Sequence, residues 1–360
     1  MKQIIYNVCI LLVVCLPGCS MIETNEADNG GALVALGVTN ASLETKSVYT
    51  EVGTGTTDNV LNKIGVGVTR ENNASWYDID ATKQLFKAKV GTPVTWEVEG
   101  NPLYLGDTDG TVYAWAPSTK VAALTAGASP KLAGVTFAAA QTFEFSDQGG
   151  VTDWNTSETD YLYSDPVSGI NKNNSSAALN MKHALSKISF RVMKAKGFPA
   201  PGDRDYVKEV KLTFKADGGK TGFTGKGDID LNTGDLVAAD DGRLATVSLT
   251  PKVLASSRQV ANYKETGSNA DFTSVQPQAF ALVAPYGSAD KGKLNVSVKI
   301  GTKDAETYDR TFTTTTATDL NWVKGNHYIY TILLTEKSLT ISSVTLVGWT
   351  DNLKDPVDAE

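Results

Sequence analysis

Residues 294–300 read Leu-Asn-Val-Ser-Val-Lys-Ile, with an aliphatic side chain at every second position. Residues 210–214, Val-Lys-Leu-Thr-Phe, repeat the pattern. Successive side chains of a strand point to opposite faces of a sheet, so strict alternation predicts strands with one buried and one solvated face. Such strands are typical of antiparallel sheets. The two stretches therefore predict an all-β fold.

Short apolar runs of the same kind recur along the chain, separated by turns rich in Gly, Asn and Asp, and this spacing is typical of β-sandwiches. A length of 360 residues favours two domains at roughly 150 residues each. The most turn-rich stretch is 164–176. We therefore predict two tandem antiparallel sandwiches, at 32–175 and 176–350, followed by a tail at 351–360.

Just after this boundary, the apolar side chains change from odd to even positions. They lie at Leu179 and Met181, but then at Ile188 and Phe190. One extra residue in a strand restores a common face. The pattern predicts a β-bulge near Ser186 and Lys187.

The composition excludes several function classes. Lys and Arg number 33 against 40 Asp and Glu, so the formal net charge is −7, the wrong sign for a nucleic-acid-binding protein. All three cysteines precede residue 20, and the histidines are His183 and His327 alone. The rest of the chain therefore cannot contain a thiolate nucleophile, a disulfide framework or a cysteine-based structural zinc site. We expect no enzyme activity, no cofactor and no metal, and two half-buried, hydrogen-bonded histidines.

Three patterns suggest binding or chemistry without specifying it. Asp228, Asp230 and Asn232 resemble the start of a calcium loop, but Ala239 occupies the twelfth position, where a bidentate Glu is needed, so we predict a turn at 232–234. The six tryptophans could form a sugar-binding platform or belong to the core. Paired carboxylates of a glycosidase are a further alternative, although no pair stands out among the acidic residues.

The N-terminus has the pattern of an export signal. Lys2 precedes a 13-residue apolar run at 4–16, which is too short for a membrane-spanning helix of roughly 20 residues. Leu-Pro-Gly-Cys at 16–19 resembles a bacterial lipobox. We predict a signal peptide at 1–18, a lipid anchor of the palmitate type on Cys19, and an acidic tether at 19–31. Several acyl chains would anchor firmly, whereas one chain is marginal.

Further motifs carry a resemblance to a known family. They occur in a fixed order along the chain and end with Val-Gly-Trp at 347–349: Tyr-Ala-Trp-Ala-Pro (113–117), Asp-Tyr-Leu-Tyr-Ser (160–164), Leu-Asn-Met-Lys-His-Ala-Leu-Ser-Lys-Ile-Ser-Phe (179–190), Phe-Ala-Leu-Val-Ala-Pro (280–285) and Trp-Val-Lys-Gly-Asn-His-Tyr-Ile-Tyr (322–330). Together they resemble the fimbrillin-like lipoproteins of Bacteroidales, the subunits of type V pili. The resemblance covers nearly the whole mature chain.

The resemblance implies two transthyretin-like sandwiches, a lipoprotein precursor at the outer membrane, and assembly into a cell-surface fimbrium by donor-strand exchange. It also implies a trypsin-like protease that cuts after a basic residue beyond the first strand. Here that cut falls between Lys46 and Ser47, and it removes the run at 32–38, which we expect to be buried on both faces. A segment of another subunit then fills the groove.

The role of such a subunit is not fixed by the sequence. It can belong to the stalk or the tip, and the tail at 351–360, with Leu353 and Val357 as its only sizeable apolar residues, favours a tip or accessory role. An uncut pilus anchor would keep its lipid. Outside the pilus, the sequence is also compatible with a surface glycan-binding lipoprotein and with an unrecognised hydrolase.

Overall fold

The computed structural model describes residues 32–43, 61–78, 82–89, 95–148, 151–287, 292–305, 310–336 and 338–349. These residues form 27 strands and two 3-10 helices, at Glu71–Asn73 and Leu254–Ser256. Among them there is no helix with the length and apolar character needed to cross a membrane. The prediction of an all-β fold is confirmed.

The strands are, in chain order, β1 (Val34–Ala35), β2 (Gly37–Leu43), β3 (Lys63–Arg70), β4 (Gln84–Lys89), β5 (Thr95–Glu99), β6 (Tyr104–Leu105), β7 (Gly110–Ala116), β8 (Ala122–Ala123), β9 (Lys131–Thr136), β10 (Ala140–Gln148), β11 (Val151–Thr156), β12 (Leu162–Ser164), β13 (Val167–Ile170), β14 (Ser176–His183), β15 (Ser186–Lys194), β16 (Tyr206–Ala216), β17 (Lys226–Asp230), β18 (Leu236–Ala238), β19 (Thr246–Pro251), β20 (Glu265–Thr266), β21 (Asn269–Ala270), β22 (Ala279–Val283), β23 (Gly292–Gly301), β24 (Arg310–Thr313), β25 (Thr318–Asp319), β26 (Asn326–Leu334) and β27 (Leu339–Gly348).

The first large sheet, sheet I, has eight strands in the order β2-β14-β12-β7-β3-β4-β5, with β13 also paired to β7. Its two edge strands, β2 and β5, lie next to each other, so the sheet curls round its own contents. Those contents form the first core, which includes Ile64, Val66, Phe86, Val112 and Leu162.

Three further sheets enclose the second core. Sheet II has the order β11-β10-β19-β16-β23-β24, with β25 also on β23. Sheet III has the order β22-β15-β26-β27, and sheet IV the order β18-β17-β9-β8. Strand β22 of sheet III lies against β10, β16 and β19 of sheet II. Aromatic side chains fill the space between them, among them Phe143, Trp154 and Phe280.

The two alternating stretches that predicted the fold are neighbours in sheet II. Val210 pairs with Val298, Leu212 with Val296 and Phe214 with Leu294 in the antiparallel ladder of β16 and β23. Their apolar side chains share the face that lines the second core, and the residues between them are only partly buried. The alternation therefore predicted both the strands and their buried face correctly.

Strand β7 joins the two cores because both of its faces are buried. Val112, Ala114 and Ala116 belong to the first core, whereas Tyr113 and Trp115 belong to the second. A strand covered on both sides has no need for polar residues at alternate positions. This explains the continuous apolar run of residues 112–116.

The sheets divide differently from the predicted boundary at residue 175. Strand β14 lies beyond that boundary but pairs within sheet I, while β10 from the first half forms a parallel ladder with β19 of the second half. Strand β9 also pairs across the boundary, in an antiparallel ladder with β17. The turn-rich stretch contains a surface turn in which Asn171 accepts the N–H groups of Asn173 and Asn174. The turn composition correctly indicated an exposed loop, but this loop connects β13 to β14 within sheet I and does not separate two sheets.

The ladders among the described residues are antiparallel except for three, which join β2 to β14, β10 to β19 and β15 to β26. The parity change near Ser186 also has a different cause from the predicted bulge. Strand β14 ends at His183 and β15 begins at Ser186 in another sheet. Between them the chain crosses from sheet I to sheet III, so the two apolar faces belong to different sheets.

Candidate functional site

Strand β2 forms one edge of sheet I and covers part of the first core. Strand β2 runs parallel to β14, with Gly37 opposite Ser176 and Leu43 opposite Met181. Leu36, Val38 and Ala41 are buried in the first core, and Leu43 packs against it. The register shifts between Val38 and Asn40. The extra residue at this bulge keeps all four apolar side chains on the inner face.

The segment before β2 is less buried than its apolar sequence predicts. Residues 32–35 are exposed, and Leu33 keeps 53% of its surface accessible. Strand β1 pairs only with the two-residue strand β6 at the rim of the fold. The expectation that the whole run 32–38 is buried on both faces is therefore wrong. The inward side chains begin at Leu36.

The backbone contacts around the start of β2 run to two neighbouring parts of the chain, the residue before β6 and the residue before β14. The Leu36 N–H donates to the Leu103 carbonyl at 2.8 Å, and the Gly37 N–H donates to the Ser175 carbonyl at 2.8 Å. On its other side β2 lies beside β5 without a hydrogen-bonded ladder among the described residues. If β2 were absent, the backbone groups of β14 would lose their partners and the first core would open to water.

A cluster of buried polar side chains lies where sheets I and III meet. His183, at the end of β14, places Nδ1 within 2.9 Å and 3.0 Å of the two carboxylate oxygens of Asp160. The ring of Trp349 stacks on His183, with the ring centroids 3.9 Å apart and the planes at 2°. All three side chains are buried. Burial raises the pKa of Asp160, an effect that the neighbouring His183 and Lys187 oppose.

Two more buried polar side chains surround this group. The Lys187 ammonium lies 3.7 Å from the ring centroid of Trp154, a cation–π geometry. Nε2 of His327 lies 2.9 Å from the Ser189 hydroxyl. Lys187 and His327 are both 0% exposed. A substrate therefore has no access to either histidine, and both histidines are hydrogen-bonded, as predicted, but more deeply buried than expected.

Comparison with known proteins places these features in a family. The model of the fimbrillin-like family matches residues 48–349. The chain belongs to the fimbrillin-like family. Solved structures from Bacteroides uniformis and Bacteroides ovatus, both described as cell adhesion proteins, are similar to it with a TM-score of 0.51. They are 14% and 15% identical, with 89% of this chain covered in each case and 98% and 99% of theirs. At this identity they support the fold, and no curated protein matches.

Three of the motifs that carry the family resemblance, at 179–190, 322–330 and 347–349, come together at the junction between sheets I and III. The Ser186 hydroxyl donates to the Val323 carbonyl at 2.9 Å, and the Gly325 N–H donates to the Leu185 carbonyl at 2.7 Å. These contacts bring the 179–190 motif onto the 322–330 motif, and Trp349 of the last motif stacks on His183. The sequence order of the motifs gave no sign of this convergence, because it depends on the crossing at residues 184–185.

The predicted processing residues of the fimbrillin-like chain lie outside the described residues. These are Cys19, Lys46 and Ser47. The structure describes the segment between the two predicted sites only from residue 32 to Leu43, three positions before Lys46.

The six tryptophans do not form a surface platform. Trp115, Trp154, Trp322 and Trp349 are almost fully buried, Trp96 is buried, and Trp76 is partly buried. Trp322 donates its indole N–H to the Tyr330 hydroxyl at 2.8 Å within the second core. These side chains belong to the core, which removes the main support for a glycan-binding role.

The calcium-like stretch is a hairpin turn, as predicted. Asp230 accepts the Asn232 N–H at 2.7 Å, and Gly234 has a φ of +75°, a conformation that favours glycine. The turn connects β17 to β18. Within the described part of the chain, no group of three or more acidic, His or Cys residues is arranged to hold a metal ion.

Proposed function

We propose that this protein is a structural subunit of a cell-surface fimbrium and assembles with other subunits by donor-strand exchange. Membership of the fimbrillin-like family supports the fimbrial role. The observation that supports the exchange is the position of β2, an edge strand whose apolar face completes the first core. A strand held by one ladder and one row of side chains can be replaced by another strand of similar pattern.

The proposed trigger is a trypsin-like cut between Lys46 and Ser47. Before the cut, β2 is covalently linked to its own groove, at an effective concentration on the order of mM. A neighbour cannot compete with it. After the cut the segment up to Lys46, including β2, is free to leave, and the edge of β14 accepts a strand.

The energy available to the incoming strand follows from the side chains that β2 and the adjoining Leu36 bury. These are Leu36, Val38, Ala41 and part of Leu43. Burying large aliphatic side chains contributes about 1.5–3 kcal/mol each. An incoming strand with matching side chains would gain roughly 6 kcal/mol before the entropy cost of ordering it. This gain favours a long-lived polymer once the original strand is lost.

We propose further that the precursor reaches the outer membrane as a lipoprotein, with the lipid on Cys19, and that the lipid leaves together with β2. The composition of the tail at 351–360 favours a tip or accessory position in the fimbrium. We propose no enzymatic activity, in line with the structural role of the family and with the burial of both histidines.

An assembly experiment tests the proposal. The precursor, purified without its lipid, is treated with trypsin and followed by size and by SDS-resistant bands. We expect cleaved protein to form stable oligomers with fimbrial subunits, and Lys46→Ala protein to remain monomeric. Lys63→Ala, which changes the first basic residue of β3, is the matched control and should assemble normally. Assembly of uncut Lys46→Ala protein would contradict the proposed trigger.

A further inference from the structure

The last strand of the chain is unusually exposed for a ten-residue strand. Strand β27 is the outer strand of sheet III and pairs with β26. Residues 342–346 are exposed on both faces, and Leu346 keeps 57% of its surface accessible. The strand carries no charged residue and no proline, the usual protections of an edge. Side-chain burial therefore contributes little to holding the middle of β27 in place.

The two ends of β27 are fixed in different ways. At its beginning, Leu339 is fully buried, and the preceding turn is closed by the Thr335 N–H, which donates to the Ser338 carbonyl at 2.9 Å. That end is also connected to β26 through the turn of the hairpin. At its other end, Trp349 is 1% exposed and stacks on His183. Opening of β27 from its C-terminal end therefore requires Trp349 to leave its place.

The surface under Trp349 belongs to a different sheet from β27. His183 is the last residue of β14 and pairs with Leu162 of β12 in sheet I. Asp160 lies two residues before Leu162. Sheet I therefore fixes both members of the Asp160–His183 pair. Nδ1 of His183 is hydrogen-bonded to Oδ1 of Asp160 at 3.0 Å, which fixes the orientation of the imidazole ring. Trp349 thus rests on a rigid ring outside its own sheet.

We propose that the stack of Trp349 on the Asp160–His183 pair is a latch that keeps β27 paired with β26. With the latch closed, β27 is an ordinary edge strand. With the latch open, the exposed middle has few side-chain contacts to resist fraying, and the strand separates from Trp349 back toward Leu339 while sheets I and II keep their pairing. This inference concerns the free subunit and is independent of the proposed exchange at β2.

Backbone hydrogen exchange on the full mature chain tests the latch. In Trp349→Ala, we expect amides of β27 to exchange at least about tenfold faster, while amides of β16 and β23 in sheet II keep their protection. Leu346→Ala is the matched control on the same strand, and because Leu346 is exposed it should leave exchange unchanged. Trp349→Phe keeps a ring over His183 and should give a smaller increase confined to β27.

Two results would overturn the latch. One is unchanged protection of β27 in Trp349→Ala. The other is an equal loss of protection in β16, β23 and β27, which would mean that Trp349 stabilises the whole second core and not β27 in particular. If Trp349→Ala does not fold, the milder Trp349→Phe decides, since only a latch gives an increase limited to β27. Failure of the strand exchange at β2 would leave all these outcomes unchanged.

Discussion

A pair of leucine substitutions in the residues before β2 tests how the N-terminal segment is held. Leu36 is 2% exposed and faces the first core, whereas Leu33, three residues earlier, is 53% exposed. Truncating a buried leucine removes its burial and leaves a cavity, at a cost of about 2–5 kcal/mol. Leu36 lies at the edge of a sheet, where neighbours relax more easily, so we expect about 3 kcal/mol for Leu36→Ala. Leu33→Ala should change stability by less than about 0.5 kcal/mol.

The assay is denaturant unfolding of the precursor without its lipid, before and after the cut at Lys46 and removal of the released segment. The two variants should differ before the cut by the amount given. After the cut they have the same sequence and must have the same, lower stability. Equal costs for both substitutions would refute the inward assignment of Leu36. An unchanged stability on removal of the segment would refute the role of β2 in the first core.

Three further predictions concern other parts of the chain. Burial raises the pKa of Glu158 from 4.5 to about 7, so the folded state holds this proton more tightly than the unfolded state. The tighter proton binding adds to the free energy of unfolding below about pH 4.5, and this addition is lost as the pH rises through about 7. Glu158→Gln should flatten the pH dependence of unfolding over this range and raise stability at pH 8 by about 1–3 kcal/mol; an unchanged profile would contradict it. Gly65→Ala should cost about 1–3 kcal/mol in chemical denaturation because a Cβ there would lie 2.7 Å from the Trp115 ring, whereas Gly202→Ala, with no atom within 4 Å, should be nearly neutral. Cys19→Ala should abolish acyl labelling and release the precursor from the membrane fraction, and continued palmitate uptake would show that the lipobox assignment is wrong.

The local pattern of the sequence predicted the strands well because it depends on short-range alternation. The aliphatic positions of β16 and β23 are neighbours in one ladder and line one core. Apolar composition gave the wrong burial at residues 32–35, which lie at the exposed rim of the fold. Hydrophobic composition states which side chains can be buried, and the neighbouring strands decide which of them are.

The long-range pairing could not be predicted from local pattern. The ladder of β10 with β19 joins residues about a hundred positions apart, and no turn or motif connects them. The same holds for the stack of His183 on Trp349, which brings together the end of β14 and the end of β27. The family motifs marked both residues, but only the crossing of the chain between two sheets places them in contact.

The N-terminal sequence of the protein sheared from cells tests the central claim most directly. The only lysine or arginine between Cys19 and Lys63 is Lys46, so a trypsin-like protease has a single target before β3. We predict a surface form that begins at Ser47 and lacks both the lipid and β2. A surface form that begins at Cys19 would contradict this prediction and support an uncut anchor, and a start at Glu71 would mean that a different strand is exchanged.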